Sequence, residues 1–131
     1  MTYQEVLIKS DIPAEGSIWR APNKIWNNSF ARNKSDEGLH PALIERIKKD
    51  KQNAILIPGT SKDYRKGSCI FKIRFYPFSK MSYFLMKLSM TMDIESIKKM
   101  EQGWNNKNEL NEKQLSELRW QLKMCKGISS T

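Results

Sequence analysis

The chain has 131 residues, the length of one ordinary domain, and its 39% hydrophobic content is sufficient for one compact core. Its 23 basic and 14 acidic side chains give a formal net charge of +9. No apolar run approaches the roughly 20 residues of a membrane-spanning helix, and the N-terminus has the pattern of neither a signal nor a transit peptide. We therefore expect one cytoplasmic domain, residues 1–131, with no membrane partner.

The excess of basic side chains favours a polyanionic partner, either a nucleic acid or an acidic protein that masks the charge. The alternative is that a lysine-rich surface simply keeps a small protein in solution.

The cysteines do not indicate a metal centre. Cys69 and Cys125 are far apart in the chain and match neither metal-binding nor redox spacing. Because the chain has only one histidine in addition to these two cysteines, a zinc site is not expected. The sequence predicts no other metal or cofactor. We interpret both cysteines as reduced thiols that pack as small apolar groups.

Five short apolar segments predict strands. They are EGSIWRAP (15–22), PALIERI (41–47), NAILIPGTS (53–61), CIFKIRF (69–75) and SYFLMKLS (82–89). Pro58 and Gly59 are expected to end the third strand abruptly. The fourth alternates cleanly, with Phe71 and Ile73 on one face and Lys72 on the other, as in a half-buried strand.

Two polar segments between the strands are candidate binding loops. Residues 23–38 are rich in Asn, Lys and Ser, and they contain Trp26 and Phe30, which either pack the loop down or stack on unpaired bases. The second segment, residues 62–67, carries Lys62, Arg65 and Lys66. Such a cluster either contacts phosphates or is a solvated basic loop.

Helices are predicted after residue 93. Asp93 is a suitable N-cap for DIESIKKM, which Gly103 would end. In the last helix, residues 112–126, Asn111 and Gln114 have the spacing of a capping box and Gly127 that of a C-terminal stop. Leu115, Leu118, Leu122 and Cys125 share one face of it. We expect a mainly β fold, a small antiparallel barrel at about 16–92 with C-terminal helices at about 93–126 packed on it.

Several segments together resemble the MazF/PemK family of toxin–antitoxin ribonucleases. They are GSIW (16–19), GLHPALI (38–44), ILIPGTS (55–61), SYFLMKLSMTMD (82–93) and the helix at 112–126, in the family's order. The resemblance implies an SH3-like barrel, a homodimer, metal-independent cleavage of single-stranded RNA as a growth inhibitor, and an acidic antitoxin partner.

The chain departs from the family at two arginines. His40 stands where the family has its catalytic arginine before a proline, and Met90 stands where the family has the arginine of an Arg–Thr–Ile–Asp turn. Thr60 keeps the family's threonine position. By this resemblance His40 and Thr60 are the candidate catalytic residues, and we expect them to lie within a few ångströms of each other at the ends of neighbouring strands.

The chemistry fits a histidine only in part. An imidazole, with an ordinary pKa of about 6.5, suits proton transfer to the leaving 5′-oxygen. It cannot reproduce the bidentate grip of a guanidinium on phosphate. That grip would come from cations nearby, for which the candidates are Arg20, Lys62, Arg65, Lys66 and Arg74. The Thr60 hydroxyl would donate a hydrogen bond to a non-bridging oxygen.

Plain structural roles remain open for both residues. His40 is also explained as a partly buried histidine bonded to a backbone carbonyl at the start of a strand, and Thr60 as a turn residue. The function therefore has three alternatives. The chain is a toxin-like endoribonuclease, a catalytically dead barrel that binds nucleic acid or an acidic protein, or a toxin-like inhibitor of a protein target, since the same barrel resembles topoisomerase poisons.

Overall fold

The computed structural model describes residues 13–26, 39–61, 69–74, 81–102 and 109–127. These residues form six strands, two short 3-10 helices and two α-helices. The strands are β1 (Ile18–Pro22), β2 (Leu39–Ile47), β3 (Asn53–Thr60), β4 (Ile70–Ile73), β5 (Ser82–Leu85) and β6 (Met90–Asp93). The 3-10 helices span Asn23–Ile25 and Met86–Leu88, and the α-helices are α1 (Ile94–Lys98) and α2 (Glu112–Lys126).

All strand pairs are antiparallel, in the order β1-β2-β3-β5-β4, with β6 also paired to β3. β3 is the central strand, and it changes partner along its length. Its first half, from Asn53 to Leu56, pairs with β6, whereas Gly59 and Thr60 pair with β5. The mainly antiparallel β class with a C-terminal helix is thus confirmed.

Two details of the predicted strands are wrong. Pro58 and Gly59 do not end the third strand, which continues to Thr60. Pro58 is tolerated because it lies in the last pair of the β2–β3 ladder, opposite Ala42, where a missing N–H disturbs least. The segment 82–89 is not one strand, since β5 ends at Leu85, a 3-10 turn follows, and β6 is an additional strand.

The buried side chains form two clusters. The first lies under α2 and consists of Ile18, Leu43, Ile57, Cys69, Phe71, Ile73, Phe84, Met86, Leu110, Leu118 and Leu122. The second consists of Trp19, Ala21, Trp26, Ala42, Ile44, Ala54, Leu56, Leu85 and Ile97, the last of these from α1. Alternating residues of β1, β2 and β3 contribute to different clusters, as the period-two geometry of a strand requires.

The helix α2 begins and ends where its sequence predicts. The Asn111 side chain accepts a hydrogen bond from the backbone N–H of Gln114, and the Gln114 side chain accepts one from the backbone N–H of Asn111. Gly127 ends the helix in the left-handed conformation, with φ of 69°. Leu118 and Leu122 are buried and Leu115 packs against the same cluster, so the predicted packing of this helix on the sheet is confirmed.

The interpretation of the cysteines as reduced thiols is wrong for this structure. Cys69 and Cys125 form a disulfide, with their Cα atoms 5.5 Å apart. The bond joins the residue before β4 to the last turn of α2, and 56 positions of sequence separate the two cysteines. Of the described helices, none is long and apolar enough to cross a membrane.

A buried ion pair also joins the C-terminal end of α2 to β2. Glu45 lies where the β2–β3 register shifts between Ile44 and Arg46, and it is only 1% exposed. Lys126 Nζ lies 2.8 Å from Glu45 Oε1 and donates to the Ser89 hydroxyl at 2.7 Å. The carboxylate therefore depends on the helix for its closest cation.

Candidate active site

His40 lies near the start of β2, opposite Ala21 of β1. Its Nδ1 is 2.5 Å from the Oδ1 of Asn23, which begins the 3-10 helix after β1 and is 3% exposed. An amide oxygen only accepts hydrogen bonds, so Nδ1 carries the proton in this pair. The proton-accepting nitrogen of the neutral ring is then Nε2. This contact is made to a side-chain amide, in contrast to the backbone carbonyl of the plain structural alternative.

Thr60 ends β3, is buried, and lies directly opposite Tyr83 of β5. Its relation to His40 follows from the strand register. The β2–β3 ladder has Ala42 opposite Pro58 as its last pair, and His40 and Thr60 each lie two residues beyond it. Because side chains alternate, both residues are on the face of the sheet that carries Ala42. The register is consistent with the expected contact, whose distance stays a prediction.

Two residues beside Thr60 were missed by the sequence analysis as site candidates. Tyr83 lies opposite Thr60, and Lys72 of β4 lies opposite Tyr83. Lys72 Nζ is 5.9 Å from the centre of the Tyr83 ring, in a cation–π contact. The alternation of CIFKIRF already assigns Lys72 to the face away from the core. Its position in line with Thr60 depends on the β4–β5 register, which the sequence pattern leaves open.

Two of the predicted cations lie in the described part of the chain, Arg20 apart from this row and Arg74 two residues beyond Lys72. Arg20 forms an ion pair with Glu101 at 3.0 Å and borders a groove of about 560 Å³, together with Lys24 and Leu39. Arg74 is exposed beyond the end of β4 and borders a second groove, of about 480 Å³, beside the N-terminus of α2. These two arginines thus lie at opposite ends of the strand order, one on β1 and one after β4.

The aromatic and loop candidates have different outcomes. Trp26 is 6% exposed and packs in the second cluster, so its burial favours a packing role over base stacking. Phe30, Lys62, Arg65 and Lys66 lie outside the described residues. Met90, which the sequence resemblance sets in the place of the family's second arginine, starts β6 opposite Leu56 and packs against the second cluster.

Comparison with solved structures finds MazF proteins among the structural neighbours. The chain is similar to MazF in a MazE–MazF crystal structure (Form-II) from Deinococcus radiodurans, with 19% identity and a TM-score of 0.57 over 90% of this chain and 98% of that chain. For MazF (Form-I) from the same organism the identity is 18% and the TM-score 0.57, over 89% of this chain and 98% of that one.

Two comparisons of the amino-acid sequence with known proteins find no match. No model of a protein family matches it, and no curated protein does. The structural likeness, at this low identity, establishes a MazF-like fold.

Proposed function

We propose that the protein is a toxin-like, metal-independent endoribonuclease that cleaves single-stranded RNA and is held in check by an antitoxin protein. One observation carries the proposal. On a MazF-like fold, the only histidine of the chain stands where the family has its catalytic arginine, and the buried Asn23 amide orients its ring.

The proposed step is an internal transesterification. The ribose 2′-oxygen attacks the phosphorus, the bond from phosphorus to the 5′-oxygen breaks, and a 2′,3′-cyclic phosphate and a 5′-hydroxyl result. The 2′-hydroxyl gives its proton to solvent water, and the 5′-oxygen takes one from His40, which ends as a neutral imidazole, so protons balance. His40 in its imidazolium form supplies the second proton from Nε2 while Nδ1–H remains bonded to Asn23. Thr60 donates its hydroxyl to a non-bridging oxygen.

The test is cleavage of a long single-stranded RNA by the purified protein in excess chelator. Discrete fragments with cyclic phosphate and 5′-hydroxyl ends are expected. His40→Ala should lower the rate by about 10²- to 10⁴-fold, the usual contribution of a general acid or base. His40→Arg, which restores the family's residue, should retain or raise activity. Lys123→Ala, an exposed position on α2, is the control that leaves the rate unchanged.

A second function is favoured by the two departures from the family. With His40 and Met90 in the arginine positions, the barrel would bind nucleic acid or an acidic protein without cleaving it. Retention of RNA on the protein with no fragments at any pH between about 5 and 9, and no effect of His40→Ala, would establish this reading in place of the first.

The partners follow from the same likeness. MazE–MazF complexes among the structural neighbours support an antitoxin protein as partner, and the net charge of +9 favours an acidic one. We further propose a homodimer that acts in the cytoplasm. Light scattering should give twice the 15.4 kDa mass of the chain at micromolar concentration, and a 15.4 kDa species alone would refute the dimer.

A further inference from the structure

We propose that Tyr83 and Lys72 form a nucleotide subsite next to Thr60, in which the Tyr83 ring stacks on an unpaired base and Lys72 binds an adjoining phosphate. The inference rests on the proposed function for its ligand, single-stranded RNA. It assigns recognition to two residues that the family resemblance does not supply.

The strand register brings these residues into one row. Thr60 lies directly opposite Tyr83, and Tyr83 directly opposite Lys72, in three successive antiparallel strands. Residues that are directly opposite share a face, and neighbouring strands are about 4.8 Å apart. Tyr83 is therefore one strand from Thr60, and Lys72 two strands, roughly 10 Å away. A nucleotide seated on Tyr83 and Lys72 would therefore lie next to Thr60, which is itself 3% exposed.

Tyr83 and Lys72 lie on the face of the sheet away from the first cluster, the face that also carries Leu85 of the second cluster. Phe71, Ile73 and Phe84 alternate with Lys72 and Tyr83 along β4 and β5, and all three are buried in the first cluster. Lys72 is exposed and Tyr83 is half-buried. Their side chains thus lie on the face away from the first cluster, where solvent reaches Lys72 fully and Tyr83 in part.

The two side chains are chemically matched to one nucleotide. An aromatic ring accepts any base on its face, and an ammonium 5.9 Å from the ring centre is close enough to neutralise a phosphate attached to the stacked nucleoside. Among the ion pairs of the described residues, none includes Lys72, although Glu117 lines the same groove.

The same lysine connects the row to a path along the protein. Lys72 borders the groove of about 480 Å³ between β4 and the N-terminal turn of α2, where Arg74 and Lys113 provide further cations beside the acidic Glu117. RNA that leaves Tyr83 would follow this groove. The predicted phosphate contact of Arg74 then belongs to a nucleotide beyond the cleavage point.

The experiment measures binding without cleavage. A single-stranded RNA with 2′-O-methyl groups throughout cannot undergo the transesterification, and its affinity is followed by fluorescence anisotropy over a range of KCl concentrations. Tyr83→Ala should weaken binding by about 5- to 100-fold, the range for loss of one base–aromatic stack, whereas Tyr83→Phe should retain it. Lys72→Gln should reduce the slope of log affinity against log salt by about 0.7, the value for one phosphate contact on a single strand.

Lys123→Gln is the matched control, because it removes the same charge from an exposed position on α2. It should leave the slope unchanged. If Lys72→Gln behaves like this control, or if Tyr83→Ala binds like the wild type, Tyr83 and Lys72 are only a cross-strand surface pair and the subsite is refuted. If the subsite is refuted but the protein still cleaves RNA, the proposed function stands. If the variants lose binding as expected but the protein never cleaves RNA, the subsite is supported and the nuclease function is refuted.

Discussion

The Nδ1 of His40 lies 2.5 Å from the Oδ1 of Asn23, and this contact ties the start of β2 to the 3-10 helix after β1. Asn23 is only 3% exposed, so solvent competes little for its amide oxygen. In the proposed mechanism, an amide that accepts from Nδ1 leaves Nε2 as the nitrogen that exchanges a proton with substrate. Asn23 is thus a positioning residue for His40.

Substitution of Asn23 should change both the rate of RNA cleavage and its pH dependence. Asn23→Ala should lower the rate by about 5- to 100-fold, which corresponds to the loss of one buried hydrogen bond. Asn23→Asp places a carboxylate beside the ring and favours the imidazolium form, so the alkaline limb of the pH–rate profile should move to higher pH. Rates measured from about pH 5 to 9 check both effects.

Asn111→Asp is the control for this charge change. Aspartate is as good an N-cap as asparagine, so α2 should keep its start and the pH profile should not move. An Asn23→Asp profile that coincides with that of the wild type would mean that the amide merely fills space beside His40.

Gly59 is required by the close approach of a core ring. A Cβ atom at this position would lie 2.6 Å from Cε1 of Phe84, which is fully buried. Gly59→Ala should therefore lower the free energy of unfolding in urea by about 1–3 kcal/mol, the usual cost of overpacking. The strand shift would also displace Thr60, the next residue, and reduce cleavage.

A double-mutant cycle tests this cause. Phe84→Leu alone should lower the free energy of unfolding because it leaves a cavity. Gly59→Ala added to Phe84→Leu should lower the free energy of unfolding much less than Gly59→Ala does in the wild type. Strictly additive free energies of unfolding would show that Phe84 is not what excludes a side chain at residue 59.

The parts of the fold that were predicted from sequence are those with local signals. The alternation in CIFKIRF assigns Phe71 and Ile73 to the core without knowledge of any partner strand. Asn111 and Gln114 define the start of α2 through chemistry within one turn of helix. Neither prediction depends on which segments meet in space.

The rest depends on long-range pairing that a single sequence does not encode in its spacing. Cys69 and Cys125 meet because β4 and α2 contribute to the same buried cluster, which no motif around either cysteine indicates. Asn23 is 17 residues from His40, in a segment that was predicted as part of a polar loop. Likewise, Tyr83 lies in a segment that carries the family resemblance, but it becomes a site candidate only through its register with Thr60.

The Cys69–Cys125 disulfide should be a major source of stability. It closes a loop of 56 positions, and the loss of chain entropy in the unfolded state corresponds to roughly 4 kcal/mol. Urea denaturation of the double Cys→Ser variant should show a loss of that order, and dithiothreitol should bring the wild type to the same midpoint. In a reducing cytoplasm α2 would be held by its other contacts.

The double Cys→Ser variant is itself the control for the reductant. Dithiothreitol should not change its midpoint. If the reductant also leaves the wild type unchanged in urea, the two thiols are not joined in solution.

Protonation of Asp93 in acid should lower the free energy of unfolding of the protein. Its side chain accepts from the Ser96 hydroxyl and backbone N–H, and these hydrogen bonds hold the pKa of Asp93 below its ordinary value of 3.8. A lowered folded-state pKa means that the contribution is complete above pH 3.8 and is lost as the pH falls through the folded value. Asp50 titrates in the same direction, so the wild-type curve alone is not diagnostic.

Asp93→Asn isolates this contribution. Asparagine keeps an acceptor for the Ser96 N–H but does not titrate. The difference in urea midpoint between wild type and variant should be constant from about pH 5 to 8. Below the ordinary pKa of aspartate, the midpoint of the wild type should fall relative to that of the variant. A difference that is independent of pH down to about 2 would contradict this role.

The buried Glu45 should make the protein sensitive to the loss of Lys126. Lys126→Met would remove the ammonium 2.8 Å from the carboxylate and leave Arg46, at 3.9 Å, as the nearest cation in the described part of the chain. Breaking one side of a buried pair typically costs about 3–5 kcal/mol, because the remaining charge is uncompensated. Replacing both partners, as Glu45→Leu with Lys126→Met, should recover most of that loss.

Lys123→Met, one turn earlier and exposed, should change the free energy of unfolding by less than about 0.5 kcal/mol. Equal effects of the two lysine substitutions in urea denaturation would mean that Glu45 does not depend on Lys126.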